Sequence, residues 1–205
     1  MGVDERSVIY PGVVWDGEFT IGPFVIVGQL PHGQSGGLAT RIGAKAQINS
    51  HTVIYAGNTI GRNFRTGHRV LIREQNEIGD DVSIGSGSNV EHHVRIGDRV
   101  RLHSNVFVPE LSILEDDCWL GPNVVITNAR YPATPTTKEE LVGVHIEKRA
   151  KIGANATILP GIRIAADALV GAGAVVTVDV PSGAVVTGNP ARIIKHISQI
   201  PAYHQ

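Results

Sequence analysis

Four residues spaced eighteen apart carry the side chains best suited to handling protons in this 205-residue chain: Glu74, His92, Glu110 and Asn128. Imidazole is the side chain most readily poised as a base near neutral pH, and a carboxylate beside it orients the ring or raises its basicity. His92 is therefore the first candidate for a catalytic base, with Glu74 or Glu110 as its orienting acid and Asn128 completing the series. Arg73 and Glu91 flank the four, and His93 and His103 are second choices for the imidazole. The plainer account of the same residues is a solvated ladder of charges on an exposed edge.

A spacing of eighteen gathers side chains only if the backbone returns above itself at that interval. From Ile42 every sixth residue is aliphatic as far as Ile126, with Thr66 alone breaking the run, and the series resumes at Ile146, Ile152, Ile158, Ile164, Val170 and Val176. A period of six matches neither strand alternation nor the 3.6-residue helical turn. It matches a coil of three short strands, each turning one aliphatic side chain inward. Such coils of eighteen residues stack about 4.8 Å apart on a parallel hydrogen-bond ladder. Aromatic residues make up 5% of the chain, as a core of narrow, regular layers requires. Cys118 falls on an inward position and reads as a small core residue.

Glycine follows the aliphatic position repeatedly, as at Gly79, Gly85 and Gly97, where the corner is expected to need an unusual φ. One of the three faces lacks this glycine altogether. From Ile54 its hexads read IYAG, IREQ, VEHH, VPEL and ITNA, and this is where the chemical series stands. Residues 29–40 and 132–145 interrupt the period and are expected to protrude as loops, the second at the top of the site. Residues 191–199 are expected to form a short helix capping a single domain that covers 1–205.

The unit [Ile/Leu/Val]-Gly-x-x-[small]-x resembles the hexapeptide-repeat acyltransferases over roughly residues 20–195. Ile158-Leu-Pro-Gly-Ile162, Val170-Gly-Ala-Gly-Ala-Val-Val-Thr177 and Gly188-Asn-Pro-Ala-Arg192 carry the likeness further. The resemblance implies an all-β, left-handed parallel β-helix, although the general crossover preference is right-handed. It also implies a homotrimer with active sites between subunits and acetyl-CoA, or another short acyl-CoA, as co-substrate, with no metal. On the motif match Ala154 and Ala172 would lie beside the pantetheine, with Thr177 further along, while Arg192 and Lys195 would pair with CoA phosphates. The family often has Lys where this chain has Val178.

Sugar O-acetyltransferases of the superfamily carry a His-Pro at the start of the large loop, where this chain has Asn128-Ala-Arg-Tyr131-Pro132. With the stretch Arg73-Glu-Gln-Asn76-Glu-Ile-Gly79, that entrance resembles the branch that N-acylates amino sugars attached to dTDP or UDP. Arg73, Asn76, Glu91, His93, His103, Glu110 and Tyr131 would then contact the acceptor. The departing thiolate would serve as proton acceptor if His92 only orients the amine. O-acetyl transfer to a sugar or small-molecule hydroxyl is the alternative. A zinc hydratase of the same fold would need three converging imidazoles, and adjacent His92 and His93 should diverge.

The formal charge of −1 gives no electrostatic reason to expect nucleic acid or an anionic membrane as partner. Cys118 is the sole cysteine, which fits a reduced, cytoplasmic location. The opening MGVDERSVIYPGVVW, with early acids and no long apolar run, reads as neither signal peptide nor membrane span.

Overall fold

The computed structural model describes residues 2–203; Met1, His204 and Gln205, within the expected domain, lie outside the described residues. Inward aliphatic residues eighteen apart stand directly over one another. Ile72 pairs with Ile54 below and Val90 above, and Ile78 with Ile60 and Ile96. The strands these residues belong to form three sheets of eleven, nine and eight strands, parallel but for the last strand of the eleven, the sides of a left-handed triangular prism. The aliphatic columns fill its axis: Ile42, Ile54, Ile72, Val90, Val108 and Ile126 are all fully buried. Each such side chain contributes about 1.5–3 kcal/mol by leaving water. Thr66 fits among them because its hydroxyl accepts from Asn49 N at 3.0 Å, so its polar atom is satisfied.

The coil starts well before Ile42. Gly2–Val3 pairs with Thr20–Ile21, and Val3, Ile9, Trp15, Ile21 and Val27 keep the period of six. Trp15 pairs with Ile42 and Leu114 with Ile146. These register steps exceed eighteen by nine and fourteen residues, the lengths looped out. The first excursion lies between the strands Ile26–Gln29 and Thr40–Ile42. The second opens and closes earlier than 132–145: Val142 N donates to Asn128 O at 2.9 Å to close its neck, and His145 is already in a strand.

The expected C-terminal helix is absent. Arg192–His196 form a strand antiparallel to Ala184–Thr187, followed by 3-10 turns at Ile197–Gln199 and Pro201–Tyr203. Val185 lies on the last parallel strand, whose backbone groups need partners, and the β-branched pair Ile193-Ile194 suits a strand. The reversed strand covers that edge of the eleven-stranded sheet.

The corner glycines also differ from expectation. Positive φ falls two residues beyond them, on Asn63 (54°), Arg69 (55°), Asp81 (59°) and Arg99 (57°) among others. What excludes a side chain at Gly61 is the next coil: a Cβ there would stand 2.6 Å from the Gly79 carbonyl carbon and against Asp80 Oδ1. Gly61→Ala should therefore lower stability by about 1–3 kcal/mol through overpacking. Arg69→Gly, at a left-handed residue, should stay within about 1 kcal/mol of wild type. Urea denaturation of both variants checks this; equal losses would contradict the assignment.

Candidate active site

The corners with no glycine directly after the aliphatic residue lie between the nine-stranded and eight-stranded sheets, so one edge of the prism carries the whole chemical series. His92 Nε2 lies 2.9 Å from Glu110 Oε2 on the coil above. One coil below His92, the Arg73 fork holds Glu74 through Nε–Oε2 and Nη2–Oε1, both 2.8 Å, while Nη1 reaches Glu91 Oε2 at 3.2 Å. The Arg73 guanidinium also stands over the Tyr55 ring, 5.4 Å from its centre. Asn128 Nδ2 donates to Glu110 O at 3.4 Å, at the neck of the large loop.

Glu74 is 7% exposed. Burial pushes its carboxyl up, but the hydrogen bonds and charge of Arg73, with a smaller contribution from His92, hold it below the ordinary glutamate value. An ionised Glu110 can only accept, so the His92 hydrogen sits on Nε2 and the lone pair on Nδ1. Nδ1 is buried and has no hydrogen-bond partner among the described residues. In the neutral ring the nitrogen able to take a proton is therefore the buried Nδ1. His93 packs its ring edge-on to His92, with centres 5.0 Å apart.

Three predicted residues stand elsewhere. Asn76 is 1% exposed and fully engaged: Nδ2 donates to Arg73 O at 2.9 Å and Oδ1 accepts from Val94 N at 2.7 Å. It supports the corner and cannot meet an acceptor. His103 follows a strand of the eleven-stranded sheet, on another edge; its Nε2 accepts from Arg101 Nε at 3.1 Å and its ring contacts Trp119. Burial, then Arg101, push its pKa down. Tyr131 projects from the large loop, 64% exposed. Within one chain His103 thus stands on a different edge from His92 and His93, whose rings pack together against the expected divergence.

Ala154 and Ala172 stack on the His103 edge, where Gly173 N donates to Ala154 O at 2.8 Å. Thr177 and Arg192 line a common cavity of about 430 Å³ near the C-terminal strand, together with Val178 and Ile193. Lys195 is exposed on that strand. Cys118 is inert: burial pushes its thiol up to about 12.

The three sides of the prism differ in chemistry, a feature the repeat pattern did not suggest. Outward positions of the nine-stranded sheet read Val53, Leu71, Asn89, Phe107, Val125, Thr157 and Val175. The eight-stranded sheet presents Thr59, Glu77, Arg95, Ile113, His145 and Arg163 instead. The site edge borders the apolar side, and the Ala154 edge borders it opposite.

The family model "Bacterial transferase hexapeptide (six repeats)" matches residues 77–110 and 143–177. Over 57 residues the chain is 56% identical to a 2,3,4,5-tetrahydropyridine-2,6-dicarboxylate N-acetyltransferase of Staphylococcus aureus, a match covering 28% of this chain and 24% of that protein. It therefore spans about a quarter of the length of the curated relatives it matches. A hexapeptide-repeat acetyltransferase of Vibrio cholerae superposes with a TM-score of 0.52 at 26% identity, over 58% of this chain and 72% of the other. A UDP-N-acetylglucosamine O-acyltransferase of Moraxella catarrhalis shares the fold over 96% of this chain and 75% of its own, with a TM-score of 0.67 and 21% identity. No helix among the described residues is long and apolar enough to cross a membrane.

The Arg73–Glu74 pair gives a test independent of substrate. Arg73→Met strands the Glu74 carboxylate and should cost roughly 2–3 kcal/mol at pH 7, less than a fully dry pair because Arg73 is partly exposed. Without its partner the folded-state Glu74 pKa rises above the unfolded value. The penalty is then present at pH 7 and fades as pH falls and the carboxyl protonates. Arg73→Met/Glu74→Gln should recover most of the loss. Chemical denaturation of both variants at pH 7 and pH 5 measures it; a pH-independent deficit would show that the fork does not control Glu74.

Proposed function

We propose that this chain, a left-handed β-helix of hexapeptide repeats, transfers an acetyl or other short acyl group from acyl-CoA to the amine of a nucleotide-linked amino sugar. The observation that carries the reading is the His92–Glu110 pair on the edge whose hexads from Ile54 to Ile126 lack a glycine after the aliphatic residue, set below a protruding loop. The amine nitrogen attacks the thioester carbonyl carbon, the C–S bond breaks, and the thiolate leaves with the electron pair. The proton released from nitrogen goes to that thiolate. With the His92 lone pair turned inward, the pair's task is to hold the acceptor: Glu110 and Glu91 accept from the amine N–H groups, and the His92 ring fixes Glu110. A backbone N–H of the corner is the donor for the developing oxyanion.

Acyl-CoA lies along the edge carrying Ala154 and Ala172, with its phosphates toward Arg192 and Lys195. Ala154 and His103 stand on a different edge from His92, so one chain does not assemble the site. A homotrimer resolves this: a second copy packed on the apolar nine-stranded side sets its Ala154 edge against the first copy's His92 edge. The N-acetyltransferase match from Staphylococcus aureus supports an amine acceptor, and the nucleotide-sugar acyltransferase of the same fold is compatible with a nucleotide-linked one. O-acetyl transfer is the second reading, favoured by the sugar hydroxyl on which the latter protein acts, and it would require His92 to turn and expose Nδ1.

Thiol release from acetyl-CoA against a panel of dTDP- and UDP-amino sugars tests the reading. Turnover is expected only with an amine acceptor, and His92→Ala should lower kcat by about 10–100-fold, below the range for loss of a true general base. Turnover of hydroxyl acceptors alone would replace the N-acyl reading with the O-acyl one. Sedimentation should give a trimer that Leu71→Glu dissociates with loss of activity; an active monomer would overturn the shared site.

A further inference from the structure

The transfer chemistry leaves one cavity unused, at the foot of the site edge. It has a volume of about 450 Å³ and walls formed by Tyr10, Pro11, Leu30 and Leu38. The first excursion closes it. Gly36 and Gly37 have φ of 135° and 85°, so the loop turns back, and Leu38 comes down beside Gly57 on the coil above. Tyr10 is fixed below by its N–H, which donates to Val27 O at 2.9 Å. No charged side chain lines the space.

Its height relative to His92 is set by the ladder. Gln29 pairs with Tyr55, Ile54 with Ile72 and Ile72 with Val90, so three coils separate the cavity's upper strand from the His92 corner. At one strand spacing per coil this is about 14 Å. Tyr55 and Arg73 occupy the levels between, and Arg73 is the cation there, shared with Glu74 and Glu91. Both excursions leave from this same edge, one at its foot and one at its head.

We infer that this cavity is the subsite for the nucleobase of the acceptor, with the diphosphate passing the Tyr55–Arg73 levels and the amino sugar at His92–Glu110. The inference rests on the proposed transfer to a nucleotide-linked amine and adds where, and by which residues, the nucleotide is recognised. A flat heterocycle suits walls of one aromatic ring and two leucines, and the backbone N–H and C=O groups of a glycine-rich loop meet the polar edge of a base. A phosphate would find no cation in these walls. An acyl chain would tolerate them but belongs at the opposite end, where Thr177 and Arg192 line their own cavity.

Calorimetric titration of the full chain with UDP, dTDP and GDP tests the inference in wild type, Leu38→Asp and Ala39→Trp. The first variant places a charge in the wall and the second fills the space; melting curves confirm that each is folded. At least one nucleotide should bind wild type and lose roughly tenfold or more in affinity in both variants, the scale of one base-stacking contact. The KM for the matching nucleotide-linked amino sugar should rise in parallel while the KM for acetyl-CoA does not. Nucleotide binding that resists both folded variants, or no binding of any of the three, overturns the subsite. If nucleotides bind through the cavity but no amino sugar is acylated, the subsite stands and the transfer reading falls. If transfer proceeds with an acceptor KM that neither variant moves, the reverse holds.

Discussion

One spacing governs the molecule: each coil lies a single strand spacing, about 4.8 Å, above the last, with its residues in register. That closeness fills the prism axis with aliphatic columns and leaves no room for a Cβ at Gly61 or Gly79. It also lets one coil cap the next. Asp80 Oδ1 accepts from Arg62 N at 2.7 Å, Asp98 Oδ1 from Asp80 N at 2.8 Å, and Asp116 Oδ1 from Asp98 N at 3.0 Å. Any chemistry placed on such a scaffold must be arranged in columns. Like charges one rung apart repel, and the site column interleaves Glu74, His92 and Glu110, so that an imidazole separates the carboxylates.

A column of functional groups requires rigid corners, and buried amides provide them here. Arg73 O accepts from both Asn58 Nδ2 at 2.8 Å and Asn76 Nδ2 at 2.9 Å, while Asn58 Oδ1 takes Asn76 N at 2.9 Å. The backbone beneath Arg73 is therefore pinned from two coils at once. Its guanidinium can hold Glu74 without the corner giving way, and this fixed geometry keeps a buried carboxylate ionised. Preorganisation at the site edge thus depends on residues that never meet a ligand.

Much of this was readable from the residues because a period of six admits few backbones. Ile54, Ile72 and Val90 dictate their own stacking, and Glu74, His92 and Glu110 follow onto one edge. What the period does not encode is direction at the atomic scale. Asn76 looks like its polar neighbours in sequence, yet it falls on the position that turns under the corner. Glycine after the aliphatic residue is the same letter whether φ or crowding demands it, and only the coil above decides. The helix expected at the C-terminus failed because Ile193 and Ile194 answer to the unpaired edge of Val185 and not to a local pattern. The early coils are harder to follow along the chain because a nine-residue excursion shifts Val27 out of phase with Ile42. The apolar side was hidden for a related reason: Leu71, Phe107 and Val125 become neighbours only once the ladder is built.

The two excursions and the ladder between them differ in what they allow to vary. A loop such as the one between Asn128 and Val142 hangs from a closed neck, so its length can drift without disturbing a single rung. The ladder cannot stretch. Heights along the site edge are therefore quantised: inserting or deleting eighteen residues moves everything above by one rung and keeps every side chain on its face, whereas any smaller change in a coil rotates the columns out of alignment. In a scaffold of this kind, reach evolves in whole steps and shape evolves continuously, through separate parts of the chain.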